Sequence, residues 1–442
     1  FAEPILDELG AREAAIGPFG FFRTWSPGMP TVTGFPAAIA VHALAALPWA
    51  TAAVALGMAR VDPALEETAA LSTGFFGVLL QVTLPLARPG LVLAALLAAM
   101  PALVDMTATD LFQVRTLAEE VYTSILEKGR EGERGTLLAL VPLALLVAAA
   151  SAATLARAAE PTEAFASRRA RLPAGKEGRA VQVAAWLTMA FLLLPVAALV
   201  WQLGARGGST EEIRFSGPVA LHYLRTELPT VARIVAEDAP RLAITVAATT
   251  AAALVLAWVW RWSAHMGRMT GIALVAWTWT IPGPVVGLGV IDLFLHPLAP
   301  DWLAAWYDSS APMTFAQFTR ALPLATTTLA VAMLAVDRGG VESGLLAGAS
   351  PWQLLRMTAS GELRPAIVAA ALVTLAFCMA ELPASKLLQP AGGEPFCAHV
   401  FSLLHNGTQN QQAALCLYLL LLAAGLSALA GAACARALER TD

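Results

Sequence analysis

The feature that most constrains this chain is a series of uninterrupted apolar runs, each about twenty residues long. A helix of that length spans the ~30 Å hydrocarbon core of a bilayer at 1.5 Å per residue. Lipid offers no water to backbone N–H and C=O groups, so a run of this kind must become a helix whose groups satisfy one another. Nine runs read as spans: Pro36–Met58, Pro89–Thr107, Gly135–Leu155, Val181–Leu203, Leu242–Trp260, Gly271–Phe294, Phe318–Ala335, Pro365–Ala380 and Ala413–Ala433. Only 14% of the 442 residues are charged, against roughly 25% in soluble domains, and they gather between the runs. A β-barrel is disfavoured, because its strands alternate apolar and polar residues over about ten positions. The expected class is an all-α polytopic membrane protein with about nine transmembrane helices.

A second pattern divides the chain. Glu66 recurs as Glu342, Arg88-Pro89 as Arg364-Pro365, and Asp105 as Glu381, each 276 residues further on. Asp105-Met106-Thr107-Ala108-Thr109 rhymes with Glu381-Leu382-Pro383-Ala384-Ser385 at the same step. Ala46-Leu47-Pro48 and Val61-Asp62 recur as Ala321-Leu322-Pro323 and Val336-Asp337 at a step of 275. A step held over some sixty residues marks an internal duplication. Both copies begin on the same side of the membrane, so the halves are parallel repeats.

Three regions follow: a first half at 1–156, a polar linker at 157–180 and a second half at 181–442. The linker carries Arg157, Arg168, Arg169, Arg171, Lys176 and Arg179 against Glu160, Glu163 and Glu177. Basic excess places it in the cytoplasm, and with it the loops Val61–Arg88 and Arg338–Arg364. The first half shows three spans where the second shows six, and the chain opens on Phe1. About three further spans are therefore expected before it.

The repeated cytoplasmic loop has a local logic. In the second copy Glu342–Ala347 suit a short helix, and Gly348 suits its left-handed end. Ser350 can cap the next helix and Pro351 fits its first turn. The expected result is a helix–turn–helix at the membrane surface, with Pro365 opening the next span. In the first copy Glu66 and Glu67 open the motif, and Thr83-Leu84-Pro85 close it. If Arg88-Pro89 sets the register, Ser72 takes the glycine position and Gly74 falls two residues late.

These loops resemble the EAA coupling loop of ABC importer permeases, a Glu-Ala-Ala, three residues, Gly pattern with a later Leu-Pro. Each copy departs from it: Ser343-Gly344 replace Ala-Ala, and Ala359-Ser360 stand where Leu-Pro is expected. The resemblance implies a type I ABC importer permease fold in the bacterial inner (plasma) membrane. It implies that Glu66, Glu67, Ser72, Gly74, Pro85, Glu342, Gly348, Ala349, Ser350 and Pro351 belong to loops that dock on a cytoplasmic ABC ATPase dimer. A periplasmic substrate-binding protein would deliver cargo. No cofactor is expected on this chain, since ATP and Mg would sit on the ATPase.

The second repeated constellation follows the next span: Asp105, Thr107, Thr109 and Asp110 in the first copy, Glu381 and Ser385 in the second, where Lys386 replaces Asp110. A carboxylate at the end of an apolar helix should face protein or a water-filled cavity. Two readings stay open. The carboxylates line a pathway between the halves, or they pin the external turn by bonding the nearby hydroxyls. This segment and Phe401–Gly407 resemble fused ferric-iron uptake permeases, which implies ferric iron as cargo. Fused thiamine and phosphonate importers share the layout.

Other signals carry less. Pro173-Ala-Gly175-Lys176-Glu177 lacks the upstream Gly and the Ser/Thr of a phosphate loop, so ATP hydrolysis is expected on a separate subunit, and the chain is not expected to be an enzyme. The six histidines show no HExxH spacing, His42 reads as an interior helix residue, and no metal site is expected. A net charge of −4 gives no reason to expect nucleic acid. The competing class is an ion-coupled secondary transporter with Asp105 and Glu381 as proton or cation sites, but it leaves the repeated loop without a role.

Overall fold

The computed structural model describes residues 34–58, 61–105, 176–206, 214–263, 281–333, 336–390, 393–406 and 409–438, with isolated positions in 109–123 and 267–279. The expected span Gly135–Leu155, most of the linker, Thr107 and Asp110 lie outside the described residues. The chain divides into two compact units, 1–198 and 199–442.

In the first unit, α1 (Phe35–Met58) leads to α2 (Pro63–Ala70), the broken helix α3 (Phe75–Leu86) and α4 (Arg88–Val104). Asp62 caps α2, its carboxylate accepting the Ala64 N–H at 2.9 Å. Within α3 a π-turn covers Leu79–Thr83. Pro85, two residues later, has no N–H with which to continue the ladder, and such turns accompany bends. α3 and α4 meet at 71°. α1 and α4 lie close together where Gly57 meets Gly90, the small-residue contact by which helices approach in lipid. α5 (Lys176–Gly204) starts five residues before the expected Val181 and continues into the second unit.

The second unit opens, after a two-residue antiparallel pair of β1 (Ala205–Arg206) and β2 (Arg214–Phe215), on α6 (Gly217–Trp262). At 46 residues α6 is about 69 Å long, more than twice the hydrocarbon thickness. The expected span Leu242–Trp260 is only its apolar end. Then come α7 (Gly283–Leu295), the single turn α8 (Asp301–Ala304) and α9 (Ala311–Met333). α10 (Arg338–Leu346), α11 (Pro351–Ser360) and α12 (Arg364–Ala380) follow, and α13 (Phe396–Asn406) and α14 (Gln409–Leu438) close the unit. α9 is enclosed by α6, α7 and α12, and Ala316, Gln317, Ala321, Ala325, Leu329 and Met333 along it are all fully buried.

The helices are those of an all-α polytopic membrane protein. Among the described residues four are long and apolar enough to cross a bilayer: Phe35–Ala55, Gly178–Gly204, Gly217–Trp262 and Gln409–Ala433. Two bent pairs, α3 with α4 and α11 with α12, raise the number to six if each is one span. The expected spans Pro89–Thr107 and Pro365–Ala380 are thus the second arms of bent pairs.

Candidate coupling loops and acidic turns

The second loop is assembled by local rules. Asp337 caps α10, accepting the N–H groups of Gly339 at 3.0 Å and Gly340 at 2.8 Å. Gly348 takes φ +86°, Ala349 N–H donates to Gly344 O, and Gly348 N–H donates to Leu345 O, both at 3.0 Å. That is a complete Schellman ending, which a β-carbon at 348 would strain. Ser350 and Gln353 then form a reciprocal capping box at the start of α11. Gly344 is where the helices touch, since a β-carbon there would stand 2.5 Å from Leu354 Cδ2. The departure from Ala-Ala therefore has a steric reason.

Leu354 and Leu355 are buried with Val341, Leu363, Met333 and Trp258, which seats the loop on the ends of α6, α9 and α12. Burying each leucine contributes about 1.5–3 kcal/mol. The other side of the loop stays open: Trp352 is 67%, Met357 68% and Leu346 91% exposed.

The first loop begins alike and then diverges. Counting from the caps, Leu71 stands nine residues after Asp62 as Leu346 stands nine after Asp337, and Leu71 is 89% exposed. By the same count the partner of Glu342 is Glu67, and both are exposed. Glu66 instead turns inward and accepts a hydrogen bond from the buried Thr83 hydroxyl at 2.5 Å. The second copy holds one residue more between its cap and Arg364, so a match made from Arg88 pairs Glu66 with Glu342. Gly74 does not end a helix. It lies extended at φ −73°, ψ 175° as the N-cap of α3, while Ser72 is exposed in the turn and bonds Ala69 O at 3.1 Å.

The acidic turns show different chemistry in the two units. Glu381 follows α12 and is 4% exposed. Its Oε1 accepts Ala384 N–H at 3.1 Å, and its Oε2 accepts Ser385 N–H at 3.1 Å and Ser385 Oγ at 2.6 Å. Arg320 Nε of α9 lies 3.7 Å from Oε1. The carboxylate thus accepts three hydrogen bonds from its own turn. Gln317, also on α9, donates to Ser385 Oγ at 2.9 Å and Cys378 O at 3.1 Å, and it accepts from Arg241 of α6 at 2.5 Å. Arg241 is held by Asp238 through two bonds of 2.6 Å. Two arginines and two carboxylates form a charge-balanced chain across α6, α9 and the turn. The turn itself rests on α7, where β-carbons at Gly283 and Gly287 would meet Pro383 and Leu387. Lys386 points outward, its Nζ 4.0 Å from the Phe401 ring centre.

In the first unit Asp105 Oδ2 lies 3.2 Å from His42 Nε2, and Thr109 Oγ1 bonds Asp105 O at 3.3 Å. The sequence reading missed His42, Asp238, Arg241, Gln317 and Arg320 as partners of these turns. One signal was present: the 275-residue step that pairs Pro48 with Pro323 also pairs His42 with Gln317.

Cys397, at the start of α13, donates to Glu381 O at 3.0 Å. Burial, and then the neighbouring Glu381 charge, push its thiol up to about 12. The reactive thiolate is therefore scarce at neutral pH. In lipid nanodiscs Cys397 is expected to resist N-ethylmaleimide and to label fully once the chain is unfolded in detergent. Rapid labelling of the folded protein would show that the turn does not cover it.

No family model matches the chain. Over 171 residues, 36% of its length, it is 30% identical to the protein named "Putative 2-aminoethylphosphonate transport system permease protein PhnV" of Salmonella paratyphi A. The chain spans 60% of that relative's length.

Proposed function

We propose that this chain is the membrane-spanning subunit of an ATP-driven ABC importer of the bacterial inner membrane, coupled through its two loops to a separate ATPase dimer. The observation that carries this reading is the repeated loop, which in each unit sets a leucine, 89% and 91% exposed, nine residues after a capping aspartate. An apolar side chain held out by a folded turn costs free energy in water, and a protein groove removes that cost. ATP binding would close the ATPase dimer and draw on both loops, with a periplasmic binding protein supplying cargo. ATP and Mg belong to the ATPase. The relative's name supports a phosphonate as cargo. Ferric iron is the alternative, carried by the resemblance of the acidic segment, although Glu381 already spends its oxygens on its own turn and Arg320.

The test is uptake of radiolabelled 2-aminoethylphosphonate, with ferric iron in parallel, by cells carrying the intact gene or the Leu71→Asp/Leu346→Asp variant. Each substitution is expected to weaken docking by at least ~2 kcal/mol, roughly 30-fold. Uptake should fall to background. Exposed positions of this kind change folding stability by only about 0.5 kcal/mol, so the thermal midpoint should barely move. Full uptake by the double variant would sink the importer reading, and uptake of iron alone would decide the cargo.

A further inference from the structure

Threonine in an apolar helix commonly turns its hydroxyl back to the carbonyl four residues earlier. Several threonines of the second unit do so. Thr245 donates to Arg241 O at 2.9 Å, Thr319 to Phe315 O at 2.9 Å, and Thr328 to Leu324 O at 2.8 Å. Thr249 of α6, Thr326 of α9 and Thr374 of α12 do not. They are 0%, 1% and 0% exposed, and among the described residues no group takes a hydrogen bond from, or gives one to, their Oγ1 atoms.

The three positions share one level of the bundle. α6, α9 and α12 pack pairwise against one another. One apolar cluster joins them through Leu242, Ala321 and Cys378, and another through Ala253, Ala325 and Ala370. Thr249 follows Leu242 by two helical turns and precedes Ala253 by one. Thr374 lies one turn from both Ala370 and Cys378, and Thr326 adjoins Ala325, one turn after Leu322 and one before Leu329. These spacings keep each threonine on the face that its helix turns to the clusters.

A hydroxyl both donates and accepts, and leaving it unbonded in the interior costs free energy. We propose that Thr249, Thr326 and Thr374 form a binding site for buried water, which bridges α6, α9 and α12 within the apolar part of α6. Water fits this set of groups. A buried water ordinarily makes about three hydrogen bonds to polar atoms that lack protein partners, and it bridges atoms held too far apart to bond directly. A hard cation would call for carboxylates or free carbonyls, and Asp238 and Glu381 are already engaged with Arg241 and Arg320. Ala253, Ala325 and Ala370 border the site, so methyl groups rather than long side chains stand beside the hydroxyls. The polar chain described above leads toward it: Thr245, one turn before Thr249, is tied to Arg241, and Arg241 to the partly exposed Asp238.

The test uses the full chain in lipid nanodiscs with carbon-labelled threonine. In solid-state NMR, magnetisation starting on water protons should reach Thr249, Thr326 and Thr374 several-fold faster than Thr188, whose hydroxyl donates to Ala184 O inside α5 at 2.9 Å. Each signal is identified by its loss in the single Thr→Val variant. In Thr374→Val, transfer to Thr249 and Thr326 should fall as well, because they share the water, and Thr374→Ser should restore it. Transfer to all three no faster than to Thr188 would mean that the hydroxyls turn to their own helix carbonyls, and would overturn the site. Full transfer to Thr249 and Thr326 in Thr374→Val would overturn it too. If Thr374→Val does not fold, Thr326→Val carries the same comparison. Neither readout involves transport, so the outcome is independent of the proposed importer role.

Discussion

Replacing Arg241 with methionine is expected to destabilise the second unit by about 3–5 kcal/mol, a shift of roughly 10 °C in its thermal midpoint. The guanidinium is 7% exposed and makes two bonds to Asp238 and one to Gln317 Oε1. Methionine fills a similar volume, so the cost comes from the partners left behind. Asp238 would keep a charge at a site 17% exposed, and the fully buried Gln317 would lose a donor. A buried ion pair is worth little against a well-packed apolar replacement, but breaking one side of it is expensive. The double variant Arg241→Met/Asp238→Leu should therefore recover a large part of the loss. Thermal unfolding followed by tryptophan fluorescence in nanodiscs reads both. A single variant as stable as the parent would mean that water reaches the network and solvates Asp238.

The second large effect is steric. Valine at position 90 is expected to prevent α1 and α4 from packing, costing about 3 kcal/mol or more, at the upper end of what overpacking does. A β-carbon at Gly90 would stand 2.6 Å from Gly57 Cα and 2.7 Å from Ala53 O. Both are backbone atoms, so no rotamer change relieves the clash, and the helices must separate. Even Gly90→Ala should be harmful, although the position 276 residues later is the well-buried Ala366, because the first unit has no room for the methyl. Gly425→Ala and Gly431→Ala are the controls, since nothing lies within 4 Å of a β-carbon at either. Protease resistance of the folded chain, measured by size exclusion after partial digestion, should drop for the position-90 variants and hold for the controls. Equal resistance in all four would place α1 and α4 further apart than described.

Much of the architecture was legible in the sequence because it is set by local rules. Apolar runs had to become helices, and Ser350 and Gly348 announced a cap and a turn, since a cap needs only its own neighbours along the chain; Asp62 and Asp337, read from the sequence only as repeated positions, are caps of the same local kind. The exposed leucines of the loops were reachable by counting from those caps. Counting from Arg88 instead paired Glu66 with Glu342 and hid the inward turn of Glu66 toward Thr83. The breaks at Ala87 and at 361–363 were harder to see, because apolar composition is the same in a straight span and in a bent pair.

The acidic turns divide what the sequence determined from what packing decided. Sequence alone established that Asp105 and Glu381 are counterparts at the ends of apolar helices, and that lipid would not accept them unpaired. Their partners were decided only by tertiary structure. Arg241 meets Gln317 across 76 residues and Gln317 meets Ser385 across 68. No local preference encodes a pairing at that range. α6 continues past its apolar part back to Gly217, which brings Asp238 and Arg241 beside α9 rather than into a loop. Hydropathy sees how much of a helix lipid can accept, but only the packing of neighbouring helices decides which buried charges find one another.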